Sequence, residues 1–594
     1  MTEYRHLPPA LPQLQYGPLS PTMTMNFQEI AKLAVRHRYL VLTGLGALLY
    51  LAFIGLRDVW YPDEPDIAEV ALAMFLSGDW VAPRRMGVVW VDYPPMIYWI
   101  GVISAQLFDG MTAFTLRLPN ALVAISVVLL TCATASRWYD GKTGFWSGFA
   151  LMTSLLFVYE ANSYRPDILF TFFIAAGMIL FAEGVLDKPR LWLRVAAFAC
   201  LGGAMLAKGI LGLLLPGLVL VLWLGSRKQW LRILELAPLS LVSVAVFLPW
   251  VAGTAQAMGW DNILYEFYAQ NFARFDSGFR GHQQPLHYYL VNFWMDFSPW
   301  SWLVPAAIIW SSRSGLLKTP RARLLLWWFG TFFVFLSLAA TKRQLYMLPA
   351  FPAIALLIGP WLTSVGKVNS TDTLTSLDVP RERAVHIYAI VVSIVFAALG
   401  LFLLAFAALL DKVILRLELN AAELDIANSL QLPIFLLGAV LIAGGIWVGM
   451  TWRNRDTRSA LRRLGGSYVV LYVVILGIVM PEFAPGKTYK PQGEWIREHI
   501  GVEQMHIGMV YSGSYGIRKR GAFGFETGGA MVDLLETAAE VEQFFVEHPD
   551  SVVLVEGHSV DDIFADDETA WDARRIRDLW VGKTQYVVIG AAGD

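Results

Sequence analysis

The residues able to do chemistry stand in short clusters beside long apolar runs. Asp63 and Glu64 occur in Tyr61-Pro62-Asp63-Glu64-Pro65-Asp66-Ile67-Ala68-Glu69, at the head of a helical pattern. One reading is a helix start, with Asp63 or Glu64 as the cap and Pro65 and Asp66 in the first turn, where acids are favoured. The other is an acid that takes a proton from an attacking hydroxyl, or orients it. Asp167 closes Tyr164-Arg165-Pro166-Asp167 at the mouth of an apolar run. A carboxylate there is costly against lipid, so it is expected to face a polar cavity; as a plain cap it would take Arg165 as surface partner. Asp92-Tyr93-Pro94-Pro95 opens a further apolar stretch. The bases are Lys208 in the tight turn Met205-Leu206-Ala207-Lys208-Gly209-Ile210, Arg274, and Lys342-Arg343 ahead of Gln344-Leu345-Tyr346. Any one of them is explained by snorkelling to headgroups. Several beside carboxylates suit a lipid phosphate. His282 and His287 lie in a histidine- and tyrosine-rich loop; His282 with a first-loop carboxylate such as Asp92 is a candidate pair for a divalent metal ion, the cofactor the sequence admits. No four-ligand spacing accompanies them, and an interfacial histidine is the plainer reading.

The elements that position these residues follow from composition. Of 594 residues, 56% are hydrophobic and 16% charged, whereas soluble domains run at about 45–50% and about 25%. The chain therefore reads as a polytopic membrane protein. Its net charge of −2 excludes nucleic-acid binding through a global basic field. Cys132 and Cys200, both in apolar runs, imply no disulfide framework. Apolar runs of spanning length fall near 39–57, 119–136, 143–159, 167–185, 192–207, 209–226, 231–252, 288–311, 323–340, 345–364, 385–410, 433–452 and 466–483, about 13 in all.

The run at 95–108 is too short to span. Treated as an interfacial helix, it leaves every basic-rich short loop on the side of the N-terminus, as the positive-inside tendency requires. The expected layout is a cytoplasmic tail at 1–38 and a transmembrane domain at 39–483 with outer loops at about 58–118 and 253–287. A segment at 484–594 follows on the outer, periplasmic face. That segment has strand-like runs at 505–513, 551–557 and 584–592 separated by helical patterns, hence a small α/β domain. The sequence shows no internal repeat, which weakens a transporter reading.

Several stretches taken in order resemble the GT-C membrane glycosyltransferases, in the branch of protein O-mannosyltransferases and bacterial lipid A aminoarabinose transferases. They are Pro62-Asp63-Glu64 with Ala68-Glu69; Ser77-Gly78-Asp79-Trp80 with Pro83; Tyr93-Pro94-Pro95 with Tyr98-Trp99; Arg117-Leu118-Pro119; Arg165-Pro166-Asp167; and Lys208-Gly209. Asn271, Phe272, Ala273, Arg274 and Phe275 with His282, Gln284, Pro285, Tyr288 and Tyr289 come next, then Lys342-Arg343 with Tyr346, Pro349 and Pro352. Together they cover about 60–365. The resemblance implies an all-α polytopic GT-C fold, a polyprenyl-phosphate-linked sugar as donor, and Asp63 as the essential first-loop acid. The chain departs from the aminoarabinose pattern at Asp66 and Tyr93, where that branch carries basic residues.

The expected activity is an inverting transfer of a sugar, such as 4-amino-4-deoxy-L-arabinose, from the lipid phosphate to lipid A at the outer face of a bacterial inner membrane. Asp63 serves as base or orienter with Asp167 beside it. Lys208, Arg274, Lys342 and Arg343 stabilise the leaving phosphate, with a hydrogen bond from Tyr346. Asp92 and Asp167 bind the sugar or a divalent ion, and Glu64, Tyr93 and Arg165 complete the substrate contacts. A monomer is expected, with a lipid or glycan acceptor and no nucleic acid. The alternatives are transfer to protein or surface polysaccharide, a lipid-linked glycan transporter, and a non-catalytic anchor for the α/β domain.

Overall fold

The computed structural model describes residues 33–108, 110–186, 188–273, 282–365, 378–417, 419–452, 456–500, 506–510, 516–557 and 573–591. Arg274 and most of the 1–38 tail lie outside them. Among the described residues nine helices are long and apolar enough to cross a membrane: Ala113–Trp138, Asp167–Leu186, Leu191–Lys208, Trp230–Met258, Pro320–Leu338, Gln344–Ser364, Glu382–Ile414, Glu423–Gly449 and Thr457–Gly486. The other four expected spans are shorter or interrupted. Arg38–Tyr50 and Leu211–Ser226 have 13 and 16 residues. The 143–159 run divides into Gly141–Met152 and Leu155–Ala161, where Thr153 and Ser154 turn their hydroxyls onto preceding carbonyls. The 288–311 run divides into Tyr288–Asp296 and Val304–Arg313, with Pro299 between them. Hydropathy registers apolarity but not the hydrogen-bond ladder, which Pro, Ser and Thr interrupt. Met96–Leu107 is a 12-residue helix, about 18 Å long and well short of the ~30 Å hydrocarbon layer.

One helix hairpin sets the geometry of the site. Asp167–Leu186 and Leu191–Lys208 are joined by a short connection and pack closely. A Cβ on Gly177 would lie 2.7 Å from Leu201 and 3.1 Å from the Ala197 carbonyl, so the helices approach because residue 177 has no side chain. The start of the first helix and the end of the second therefore share one level, which brings Asp167 to Lys208. Each charge suits its own helix dipole, the acid at an N-terminus and the base at a C-terminus.

The last hundred residues carry a five-stranded mixed sheet, distinct from a small hairpin in the loop at about 58–118, β1 (Arg84–Arg85) and β2 (Val88–Val89). The sheet comprises β3 (His506–Val510), β4 (Met531–Leu535), β5 (Val553–Glu556), β6 (Arg575–Val581) and β7 (Thr584–Ile589) in the order β4-β3-β5-β7-β6. β4, β3 and β5 run parallel, while β7 and β6 are antiparallel additions. Ile507, Met509 and Leu554 pack on one face and Val510, Val553 and Val555 on the other, so the apolar runs read as continuous because both faces are covered. β4 and β6 were not among the expected strands: both are edge strands with charged positions, a pattern that dilutes the apolar signal.

Helix Gly516–Glu526 docks this unit onto helix Glu64–Ser77 of the loop at about 58–118. A Cβ on Gly524 would meet the Met86 methyl at 2.2 Å, so the end of that side chain lies directly against the helix. Arg85 pairs with Asp66 at 2.6 Å, and Lys490 with Asp58 at 3.2 Å. Glu69 sits inside the interface, 5% exposed. Its Oε1 accepts the Met86 N–H at 3.1 Å, and its Oε2 has no hydrogen-bond partner among the described residues. Burial pushes its pKa up to about 7, against the pull of the Met86 N–H and of Arg85 and Arg520.

A carboxyl raised in the folded state contributes fully below its unfolded value, ~4.3, and that contribution is lost as pH rises through 7. Glu69→Gln should therefore raise the Tm above pH 8, by an amount on the order of a few kcal/mol in stability. It should also flatten the decline of Tm between pH 5 and 8. An unaltered decline in the variant would refute this account of the interface.

Candidate active site

Glu64 anchors the site from below. Its carboxylate accepts six hydrogen bonds: from Arg57 Nη1 (2.8 Å) and Nη2 (3.3 Å), from Arg117 Nε (2.9 Å) and Nη2 (2.7 Å), and from the backbone N–H of Trp60 and Tyr164 (both 2.9 Å). It is 3% exposed. Burial alone would raise its pKa; the guanidiniums of Arg117 and Arg57 outweigh that and hold it well below the usual carboxylate range. Every acceptor direction is filled, which corrects the expected substrate-binding role of Glu64: it is a structural hub. Arg117, wholly buried, also donates to the carbonyls of Ile54, Arg57 and Asp58. Asn120 donates to the carbonyls of Ser163 and Arg165. The hub and Asn120 thus pin the loop at about 58–118 to the Tyr164-Arg165-Pro166-Asp167 turn.

Asp63, one residue earlier, faces the other way. It occupies the N-cap position of helix Glu64–Ser77, yet its side chain makes no capping hydrogen bond. Its Oδ2 accepts from Arg165 Nη2 at 2.6 Å and from Arg343 Nη2 at 2.5 Å, and it stays partly exposed. Arg165 holds a second acid, Glu160, at 3.0 Å. Glu160 is 1% exposed, and its Oε2 lacks a hydrogen-bond partner among the described residues. The sequence reading missed it. Its only signal was an acid closing an apolar run five residues before Arg165.

Asp167 is buried and ion-pairs with Lys208, not with Arg165. The Lys208 ammonium also lies 4.6 Å from the centre of the Tyr346 ring. Asp92, Tyr93, Lys208 and Tyr346, with Glu266, Gln270 and Thr341, are the polar residues lining a cavity of about 790 Å³. Its walls continue in Leu211, Leu214, Phe247, Trp250, Phe335 and Leu336. Burial and then the neighbouring Asp92 push the Tyr93 phenol well up, with Arg343 opposing and Asp167 and Asp63 adding to the rise. Tyr93 therefore stays neutral.

Two expected bases part company. Lys342 turns inward and donates to the carbonyls of Gln284 (2.8 Å) and Ala339, so it is not in the phosphate group expected of it. Arg343 has extended backbone angles, φ −135° and ψ 146°, so neighbouring side chains point to opposite sides. His282 is exposed, with φ 62°, and its carbonyl accepts the Lys342 N–H. Among the described residues, no group of three or more metal-capable side chains contains His282 or Asp92. Arg274 lies outside the described residues.

An amphipathic cavity, with a cation in its lining and a guanidinium-held acid nearby, is suited to a lipid phosphate. The fold is that of a solved membrane protein. The structure superimposes on ArnT from Cupriavidus metallidurans bound to undecaprenyl phosphate with TM-score 0.73, covering 94% of this chain and 98% of that one at 18% identity. The apo form of the same protein gives 0.69. At that identity the likeness is one of fold. In sequence the chain is aminoarabinose transferase-like. It is 31% identical over 332 residues to the undecaprenyl phosphate-alpha-4-amino-4-deoxy-L-arabinose arabinosyl transferase of Erwinia tasmaniensis, covering 54% of this chain and 59% of that protein. It is 30% identical over 324 residues to transferase 2 of that name from Proteus mirabilis, 53% and 57%. The chain thus spans under three fifths of the length of these curated relatives. Residues 92–252 match the family described as dolichyl-phosphate-mannose-protein mannosyltransferase.

Proposed function

We propose that this multi-pass membrane protein transfers a sugar from a polyprenyl phosphate to an acceptor at the outer face of the inner membrane. The N-terminus is cytoplasmic, as the distribution of basic loops suggests. The observation that carries the reading is the cavity of about 790 Å³, apolar along its walls, with Lys208, Asp92, Tyr93 and Tyr346 among its polar lining. The prenyl chain lies along the apolar wall and the phosphate sits against Lys208 and Arg343. The acceptor attacks the anomeric carbon from the side of Asp63, the C–O bond to phosphate breaks, and configuration inverts. Negative charge grows on the leaving phosphate, where preorganised cations are most effective.

Arg165 and Arg343 both donate to Asp63 Oδ2. A phosphate that draws Arg343 away raises the basicity of Asp63 at the moment a hydroxyl must be deprotonated. A phosphate acceptor is already ionised and needs only orientation. The relatives' names favour an aminoarabinose donor, with lipid A as the acceptor we propose. The protein-mannosyltransferase match across 92–252 favours a protein acceptor as second reading.

The test is expression in a Gram-negative host that makes the aminoarabinose donor and lacks its own transferase. The native chain should shift the lipid A mass. Lys208→Met should reduce transfer about 10²–10³-fold, and Lys208→Arg should restore part of it. An unshifted lipid A with the protein properly inserted would reject the lipid A reading. A shift that survives in Lys208→Met would reject the assigned phosphate site.

A further inference from the structure

We propose that His506, Asp533 and His548 form a zinc(II) site in the α/β domain, separate from the transfer site. The three residues come from different elements. His506 opens β3 and Asp533 lies within β4. The parallel register pairs His506 with Met531 and Gly508 with Asp533. Residues two apart on a strand share a face, so the imidazole and the carboxylate meet diagonally, Nδ1 to Oδ2, at 2.7 Å. His548 follows helix Ala538–Glu547 as its C-cap. Its ring stacks on that of His506 with centroids 4.2 Å apart and 11° between the planes. Ser551 Oγ donates to the His506 carbonyl, which ties the turn carrying His548 to the strand edge.

One donor atom from each residue already lies within 4.8 Å of the others. A tetrahedral zinc with ligands at about 2.0–2.1 Å needs edges of about 3.4 Å. The stacked rings must splay for both to reach one ion, a side-chain rotation at partly exposed positions that leaves the strands in place. Two imidazoles and a carboxylate are borderline donors, which select zinc over calcium or magnesium. Three protein ligands leave the fourth position to water. The site sits at the start of β3, the strand end opposite to Glu556 of β5. It would clip β3, β4 and the turn after Ala538–Glu547 together, stabilising the unit that covers the loop at about 58–118.

The full-length chain, purified in detergent without a histidine tag, would be loaded with zinc, dialysed and analysed for metal by mass spectrometry. The native chain should retain about one zinc per chain. His548→Gln and Asp533→Asn should lose it, and His282→Gln should keep it. Zinc should raise the native Tm by on the order of 5 °C and leave His548→Gln unmoved. Cobalt(II) added to the native chain should give the visible absorption of a tetrahedral ion, a readout that requires no variant to fold. Zinc retention equal in native and His548→Gln chains, retention lost in His282→Gln, or no tetrahedral cobalt band would each overturn the proposal.

Discussion

Asp63→Asn should abolish transfer while leaving the chain folded and inserted. The substitution keeps size and removes charge at a side chain that contributes no helix-capping bond, so the helix start loses nothing. What it removes is the carboxylate between Arg165 and Arg343. General-base assistance is worth about 10²–10⁴-fold, and the loss should fall on kcat. Donor binding should hold, because the cavity and Lys208 are untouched. Transfer retained above roughly a tenth would remove Asp63 as the base. A rise in KM at constant kcat would make it a binding residue instead.

Glu64→Ala should produce the opposite phenotype, a chain that fails to fold or accumulate. It would leave Arg57 and Arg117, 6% and 0% exposed, buried without their shared carboxylate. Removing one partner of such a set costs about 3–5 kcal/mol. The loss should appear as a lowered Tm in detergent and a lowered yield from membranes. The pH signature should separate it from Glu69. The Glu64 carboxyl is held below its ordinary value, so its contribution is complete above the unfolded ~4.3 and is lost only as pH falls through the depressed folded value. Glu69 acts in the reverse sense, weakening its interface as pH rises through about 7. A Glu64→Ala chain with native Tm would dissolve the hub.

The contrast between adjacent acids shows where sequence reading stopped. Both Asp63 and Glu64 were legible as acids at an outer-face helix start, and either could have capped it. Backbone direction sends Glu64 into the buried guanidiniums of Arg57 and Arg117 and Asp63 to the partly exposed ones of Arg165 and Arg343, and no spacing rule separates those outcomes. The same holds for Lys342 and Arg343. Glu160 escaped notice because its partner Arg165 becomes visible as a bridge only when Asp63, 102 positions away, is seen on its other side. Arg117 stood out only within the Arg117-Leu118-Pro119 stretch, and its full enclosure appears only in the fold.

The amino-acid sequence by itself determined the membrane class and the α/β unit in the last hundred residues. These follow from local composition and hydrophobic period, which each segment carries within itself. Only the tertiary structure decided which charges meet. Asp167 reaches Lys208 because two helices lie antiparallel across Gly177. Asp63 reaches Arg343 across 280 positions because the loop at about 58–118 is pinned by Glu64 and Arg117. Such pairings depend on packing between distant segments, where a buried charge must find a partner, and the interval between residues along the chain does not record which partner that is.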